Sequence, residues 1–218
     1  IHFNYHLIEQ VQDSVGFFKP NFAFYERFGA DGMTALCETV RRCKEVVPEA
    51  PGILDRKVGD IGNTNEGTAK MAFEHIGADA ITVNPYFGEE ALDPFLKRAD
   101  KGVFVLCKTS NKGSGEFQNE PFENPEYPDW GGRGIALCNY VARRVSAYWN
   151  KNGNCCLVAG STYPEDLQRI RGIAPDIPIL CPGVGTQGGD LEATISAAGF
   201  KNFIINSSSG VIFDADPG

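Results

Sequence analysis

Seven short apolar runs alternate with amphipathic helical stretches along this chain, and no other feature narrows its fold so far. The runs are Gly16–Phe24, Gly52–Lys57, Ala80–Asn84, Gly102–Lys108, Cys155–Gly160, Ile177–Cys181 and Lys201–Asn206. Most are apolar almost throughout, as strands covered on both faces must be. Between them, apolar residues recur at the spacing of one helical face: Met33, Leu36, Cys37 and Val40; Ala69, Ala72, Phe73 and Ile76; Leu137, Val141, Val145 and Tyr148. Such alternation requires parallel strands joined by right-handed crossovers. A repeat of roughly 30 residues favours a closed α/β architecture, the (β/α)8 TIM barrel, over an open sheet.

On this reading residues 1–218 form a single barrel domain that lacks its first strand and last helix. The chain opens with Phe3-Asn-Tyr-His-Leu-Ile-Glu-Gln-Val11, a helix with no strand before it, and closes at Asp216-Pro217-Gly218, where a final helix would begin. One segment breaks the pattern. Residues 111–132 (NKGSGEFQNEPFENPEYPDWGG) are rich in Gly, Pro, Asn and Glu. A long loop leaving the C-terminal end of a strand is expected to be an active-site lid.

Composition excludes several classes of function. A net charge of −8 and a pI near 4.9 argue against a nucleic-acid surface, which wants a basic face. No stretch approaches the ~18 apolar residues that a membrane helix needs, and the first ten residues lack a signal-peptide layout. The seven cysteines include no Cys-x-x-Cys pair. Cys107, Cys155, Cys156 and Cys181 lie in apolar runs, and Cys37 and Cys43 are six apart on a helix. They read as reduced thiols of a cytoplasmic protein. His2, His6 and His75 are scattered, so neither a metal nor another cofactor is expected.

The chemistry concentrates in Ile53-Leu-Asp55-Arg-Lys57-Val-Gly-Asp60-Ile-Gly-Asn-Thr64. Residues two apart on a strand share a face, which puts Asp55 beside Lys57 at the strand end, with Asp60 and Thr64 in the following loop. Asn63 or Thr64 is also placed to cap the next helix. A lysine between two carboxylates keeps its proton and becomes a donor where a carbanion develops. The bland alternative is a salt-bridged structural layer, although burying such a cluster is costly as scaffolding. Two glycine- or serine-rich turns follow late strands: Pro182-Gly-Val-Gly-Thr-Gln187-Gly-Gly-Asp190, and Asn206-Ser-Ser208-Ser209-Gly210. Backbone amides in such turns hold phosphates. A tight turn capped by Asp190 explains the first equally well.

Asp55-x-Lys57-x-x-Asp60-Ile-x-x-Thr64 resembles the signature of orotidine 5′-phosphate decarboxylases. Further blocks narrow the match to the family's divergent long-loop branch: Lys19-Pro-Asn-Phe-Ala-Phe-Tyr-Glu26, Thr82-Val-Asn-Pro-Tyr-Phe-Gly88, Lys108-Thr-Ser-Asn111 with Gln118, and Pro182–Asp190. They occur in family order from residue 19 to residue 213. The resemblance implies cofactor-free decarboxylation of orotidine 5′-monophosphate (OMP) to UMP in pyrimidine biosynthesis, with Lys57 protonating C6 of the base. It implies that Asp55 and Asp60 flank that lysine, with Asp60 and Thr64 entering the neighbouring subunit's site in a homodimer. Lys19 would bind the ribose, Ser110 the pyrimidine edge and Gln187 the base and phosphate, with Ser208 and Ser209 at the phosphate. Taken alone, Lys19 reads equally well as a strand-end lysine, and Ser110 as a turn residue. The resemblance also allows this chain to be one domain of a polypeptide that carries orotate phosphoribosyltransferase.

The chain departs from the family in two respects. Ser209 stands where members usually have a phosphate-gripping arginine, and losing a charge-assisted contact costs about 1.5–3 kcal/mol. No counterpart of the first strand's Leu-Asp pair precedes Ile1. Two competing readings follow: a metal-dependent barrel enzyme like hexulose-phosphate synthase, and an inactive truncated barrel.

Overall fold

The computed structural model describes residues 1–123, 134–185 and 187–213. The chain divides into two compact parts, Ile1–Val103 and Phe104–Gly218. In the first, helices α1 (His2–Val11), α2 (Phe22–Glu26) and α3 (Gly29–Val46) precede strand β1 (Ile53–Val58). Helix α4 (Gly62–Lys70), strand β2 (Ala80–Val83) and helix α5 (Glu89–Leu96) follow. β1 runs parallel to β2, with Ile53 opposite Ala80 and Leu54 opposite Ile81; the register then slips before Val58 meets Val83. Ile53, Leu54, Ile81 and Val83 are fully buried, as the continuous apolar runs predict.

The run Gly16–Phe24 forms less strand than its composition predicts. Only Phe18 and Asn21 make parallel bridges, to Gly52 and Asp55. Pro20 has no N–H for a ladder. The Asn21 side chain accepts from Ala23 N at 3.1 Å and starts α2 instead. Gly32 lets α3 approach α2, because a Cβ there would overlap the Tyr25 carbonyl oxygen.

In the second part, β3 (Gly102–Lys108) leads through helix α6 (Gly115–Gln118) to an antiparallel ribbon of β4 (Pro121–Phe122) and β5 (Ile135–Ala136). Then come α7 (Leu137–Arg144), β6 (Cys155–Ala159), α8 (Pro164–Ile173), β7 (Ile179–Cys181), α9 (Leu191–Ala197), β8 (Phe203–Ile205) and α10 (Ser209–Ile212). Strands β3, β6, β7 and β8 neighbour one another in that order. Leu157 lies opposite Ile179, and Ile179 opposite Phe203, in parallel register. The expected lid at 111–132 lies only in part among the described residues. Its described portion, 111–123, carries a 3-10 turn (Lys112–Ser114), α6 and β4.

Two of the three predicted helical stripes face inward: Ala69, Ala72, Phe73 and Ile76 are buried, as are Leu36 and Val40. The third is displaced. α7 buries Cys138, Asn139 and Ala142, and the π-helical turn Val145–Trp149 that continues it buries Val145 and Trp149 while Tyr148 stays 42% exposed. A π turn closes five residues apart, here with Asn150 N donating to Val145 O at 3.0 Å. Cys138, Ala142 and Trp149 each lie one residue beyond the predicted Leu137, Val141 and Tyr148, while Val145 is buried as predicted.

All seven cysteines are free. Burial pushes the thiols of Cys43, Cys156 and Cys181 up to about 12, which keeps them unreactive. Among the described residues, no helix is long and apolar enough to cross a membrane.

Candidate functional site

In the middle of β1 the Asp55 carboxylate, only 8% exposed, lies between two ammonium groups. Lys19 Nζ donates to its Oδ2 at 2.7 Å and Lys57 Nζ to its Oδ1 at 2.6 Å. The Thr82 hydroxyl donates to Oδ1 at 3.1 Å. Burial pushes the Asp55 carboxyl up, but the Lys19 charge and hydrogen bond, with those of Lys57, outweigh it and hold the group below the ordinary carboxylate range. A depressed carboxyl contributes stability that is fully present above the unfolded value of about 3.9 and is lost as pH falls through the folded value. Asp55→Asn is therefore expected to melt below the wild type at pH 7, by a margin that shrinks below about pH 4. Melting curves between pH 3 and 7 check this, and a pH-independent margin would count against it.

Simple strand alternation does not bring Lys57 to Asp55. Lys57 has φ 53°, in the left-handed region that side chains other than glycine avoid, and it sits in the register slip between Leu54 and Val58. Thr82 holds this bulge: its Oγ1 accepts from Arg56 N at 2.9 Å and from Lys57 N at 2.8 Å while its proton goes to Asp55. Arg56 turns aside and stacks over the Phe22 ring at 4.2 Å. Gly59 passes so close to β2 that a Cβ would come 2.8 Å from Asn84 O. Residue spacing does not single out Thr82; its signal in the sequence is a hydroxyl in an otherwise apolar strand.

Within the chain the arrangement is Lys–Asp–Lys, whereas the sequence spacing pointed to Asp–Lys–Asp. Asp60 instead accepts from the Ile61 amide through Oδ1 at 2.7 Å. Its carbonyl is held at 2.6 Å by Asn65 Nδ2, which also bonds Ala91 O. Thr64 is exposed on α4, whose N-cap is Ile61, so neither Asn63 nor Thr64 caps it. Asp60 and Thr64 therefore follow the cluster along the chain without joining its ion pairs.

In the second part Ser110, two residues past β3, lies against Gly160, where a Cβ would lie 2.7 Å from Ser110 Cα. Thr162 Oγ1 donates to Ser110 O at 3.0 Å. Ser110, Ser161 and Gln187 converge on Gly183: a Cβ there would meet Gln187 Oε1 at 2.9 Å, Ser110 Cβ at 3.0 Å and Ser161 Oγ at 3.2 Å. The glycine loop differs from the anion cradle considered above. Gly185 N donates to Gly189 O, Gly188 N to Gly185 O and Gly189 N to Gly183 O, so these amides are spent inside the loop. Asp190 caps α9 by accepting from Ala193 N at 2.7 Å. This is the tight, Asp-capped turn. Ser208 and Ser209 are exposed at the start of the four-residue α10.

Residues 4–218 match the family described as orotidine 5′-phosphate decarboxylase / HUMPS. The chain belongs to that family. A curated orotidine 5′-phosphate decarboxylase from Herpetosiphon aurantiacus is 43% identical over 213 residues, covering 98% of this chain and 75% of its own. Among solved structures, the OMP decarboxylase of Leishmania donovani is 41% identical with a TM-score of 0.87, over 99% of this chain and 80% of its own. The UMP synthase of the same organism is 42% identical with a TM-score of 0.90, and this chain spans 46% of its length. The fold class is thus α/β, that of the (β/α)8 barrel. The reaction of orotidine 5′-phosphate decarboxylases is the loss of carbon dioxide from OMP, a carbon–carbon lyase step of pyrimidine biosynthesis, and identity of 41–43% to named decarboxylases over nearly the whole chain assigns it here.

Proposed function

We propose that this chain decarboxylates OMP with Lys57 as the proton donor to C6. The observation that carries the proposal is the Asp55 carboxylate fixed between Lys19 and Lys57 at 2.7 and 2.6 Å. The C6–carboxyl bond breaks, its electron pair stays on C6 and carbon dioxide departs. A fixed ammonium beside C6 stabilises that charge as it develops. The proton then moves from Lys57 Nζ to C6, and the amine regains one from water. Asp55 orients the ammonium, and Lys19 shares Asp55 and binds the ribose. Ser110 and Gln187 read the base. Ser208 and Ser209 receive the phosphate, more weakly than an arginine fork would at position 209. Likeness over 99% of the chain to a solved decarboxylase supports reading residues 1–218 as one barrel domain. We place the protein in the cytoplasm as a homodimer that needs no cofactor.

Asp60 and Thr64 complete the partner subunit's site in this proposal. Their exclusion from the Asp55 ion pairs, and the exposure of Thr64, support that division. The test is complementation. Lys57→Ala and Asp60→Ala chains are each expected to be inactive with OMP in EDTA. Mixed one to one and reassociated, half the dimers pair unlike chains and each of those holds one intact site, so about a quarter of wild-type turnover returns. Absence of any recovery from verified mixed dimers would overturn the shared site. Dependence of the wild type on magnesium would overturn the cofactor-free chemistry.

A further inference from the structure

Lys108 is a buried charge that the chemistry above leaves unused. Its side chain has no exposed surface at the end of β3, two residues before Ser110. Enclosing an ammonium is costly unless it is paired and hydrogen-bonded. Three groups hold it: Asn119 Oδ1 accepts from Nζ at 2.7 Å, Asp166 Oδ2 lies 3.6 Å away on α8, and the Tyr163 ring lies under it at 4.4 Å. The next residue is held from the same loop. Gln118 Oε1 accepts from Thr109 N at 2.9 Å, and Gln118 Nε2 donates to Thr109 Oγ1 at 2.9 Å. Beyond Ser110, Tyr163 OH donates to Asn111 O at 3.2 Å, and Thr162 holds Ser110 O. The backbone on each side of Ser110 is therefore tied, by side chains from α6 and its C-cap on one hand and from the β6–α8 turn on the other.

We propose that Lys108 and Gln118 are positioning residues for base recognition, holding the strand end so that the Ser110 hydroxyl meets the pyrimidine edge. This rests on the reading of Ser110 given above. Gln118→Leu removes both bonds to Thr109, whereas Gln118→Glu keeps the acceptor for its amide. Calorimetry with UMP and with ribose 5-phosphate separates positioning from folding, because the second ligand has no base. Gln118→Leu and Asn119→Ala are expected to weaken UMP by about ten-fold, with ribose 5-phosphate changed less than about two-fold and Gln118→Glu close to wild type. Lys108→Met should show the same pattern if it folds; Gln118 and Asn119 serve if it does not. Equal losses for both ligands, or unchanged UMP affinity in Gln118→Leu, would overturn the proposal. Ser110→Ala is the control: if it alone leaves UMP affinity unchanged, the reading of Ser110 fails, not the clamp.

Discussion

Lys57→Ala is expected to lower kcat/KM for OMP by roughly 10^4 or more, since in the proposed mechanism it removes both the proton donor and the charge that meets the C6 carbanion. The fold should survive. The Lys57 side chain is 49% exposed, and Asp55 keeps Lys19 and Thr82 as partners. Lys57→Met, which keeps the aliphatic stem, should be as inactive as the alanine variant. Steady-state kinetics with circular dichroism check both points. A folded Lys57→Ala chain within ten-fold of wild type would remove Lys57 from the chemistry.

The largest loss of stability is expected at Arg171. Its guanidinium is buried on α8 and donates to six carbonyls: Nε to Ala198, Nη1 to Ala174, Pro175 and Ile177, and Nη2 to Lys201 and Asn202. One side chain thus closes the ends of α8 and α9 and the turn into β8. That turn holds Phe200 at φ 59° and Asn202 at φ 50°, a strained backbone that needs outside support. Burial pushes the Arg171 pKa down, opposed by Cys181 and Asp176. Arg171→Met leaves several carbonyls without donors at about 1–3 kcal/mol each, partly relieved by water, so a net loss of about 3–5 kcal/mol is expected. Arg171→Lys should rescue little, because three donors on one atom cannot span six acceptors. Urea unfolding measures this directly. An unchanged midpoint in Arg171→Met would show that water replaces the guanidinium without cost.

The fold class was legible because it depends on hydrophobic period, and six of the seven apolar runs contain a strand. The exception, Gly16–Phe24, shows where period loses to local chemistry: Pro20 withholds a donor and Asn21 caps a helix. The pairing of Asp55 with Lys57 was legible as well, though for an incomplete reason. Side-chain alternation pointed to Asp55 and Lys57 as neighbours, yet their meeting depends on a left-handed Lys57 and on Thr82 from the next strand. A bulge leaves little trace in a pattern of apolar and polar residues. Lys108 and Arg171 were invisible for a different reason. Each looks like an ordinary charged residue until tertiary packing encloses it. The π turn that continues α7 is likewise announced by no residue spacing.

In the proposed mechanism Lys57 and C6 exchange a proton, and this can be measured without any loss of carbon dioxide. By microscopic reversibility, wild-type enzyme holding UMP in deuterium oxide must replace the C6 hydrogen by way of Lys57 Nζ. NMR of recovered UMP should show deuterium entering C6 faster with the wild type than in buffer, and at the buffer rate with Lys57→Ala. Undiminished exchange in a folded Lys57→Ala chain would rule out Lys57 as the donor.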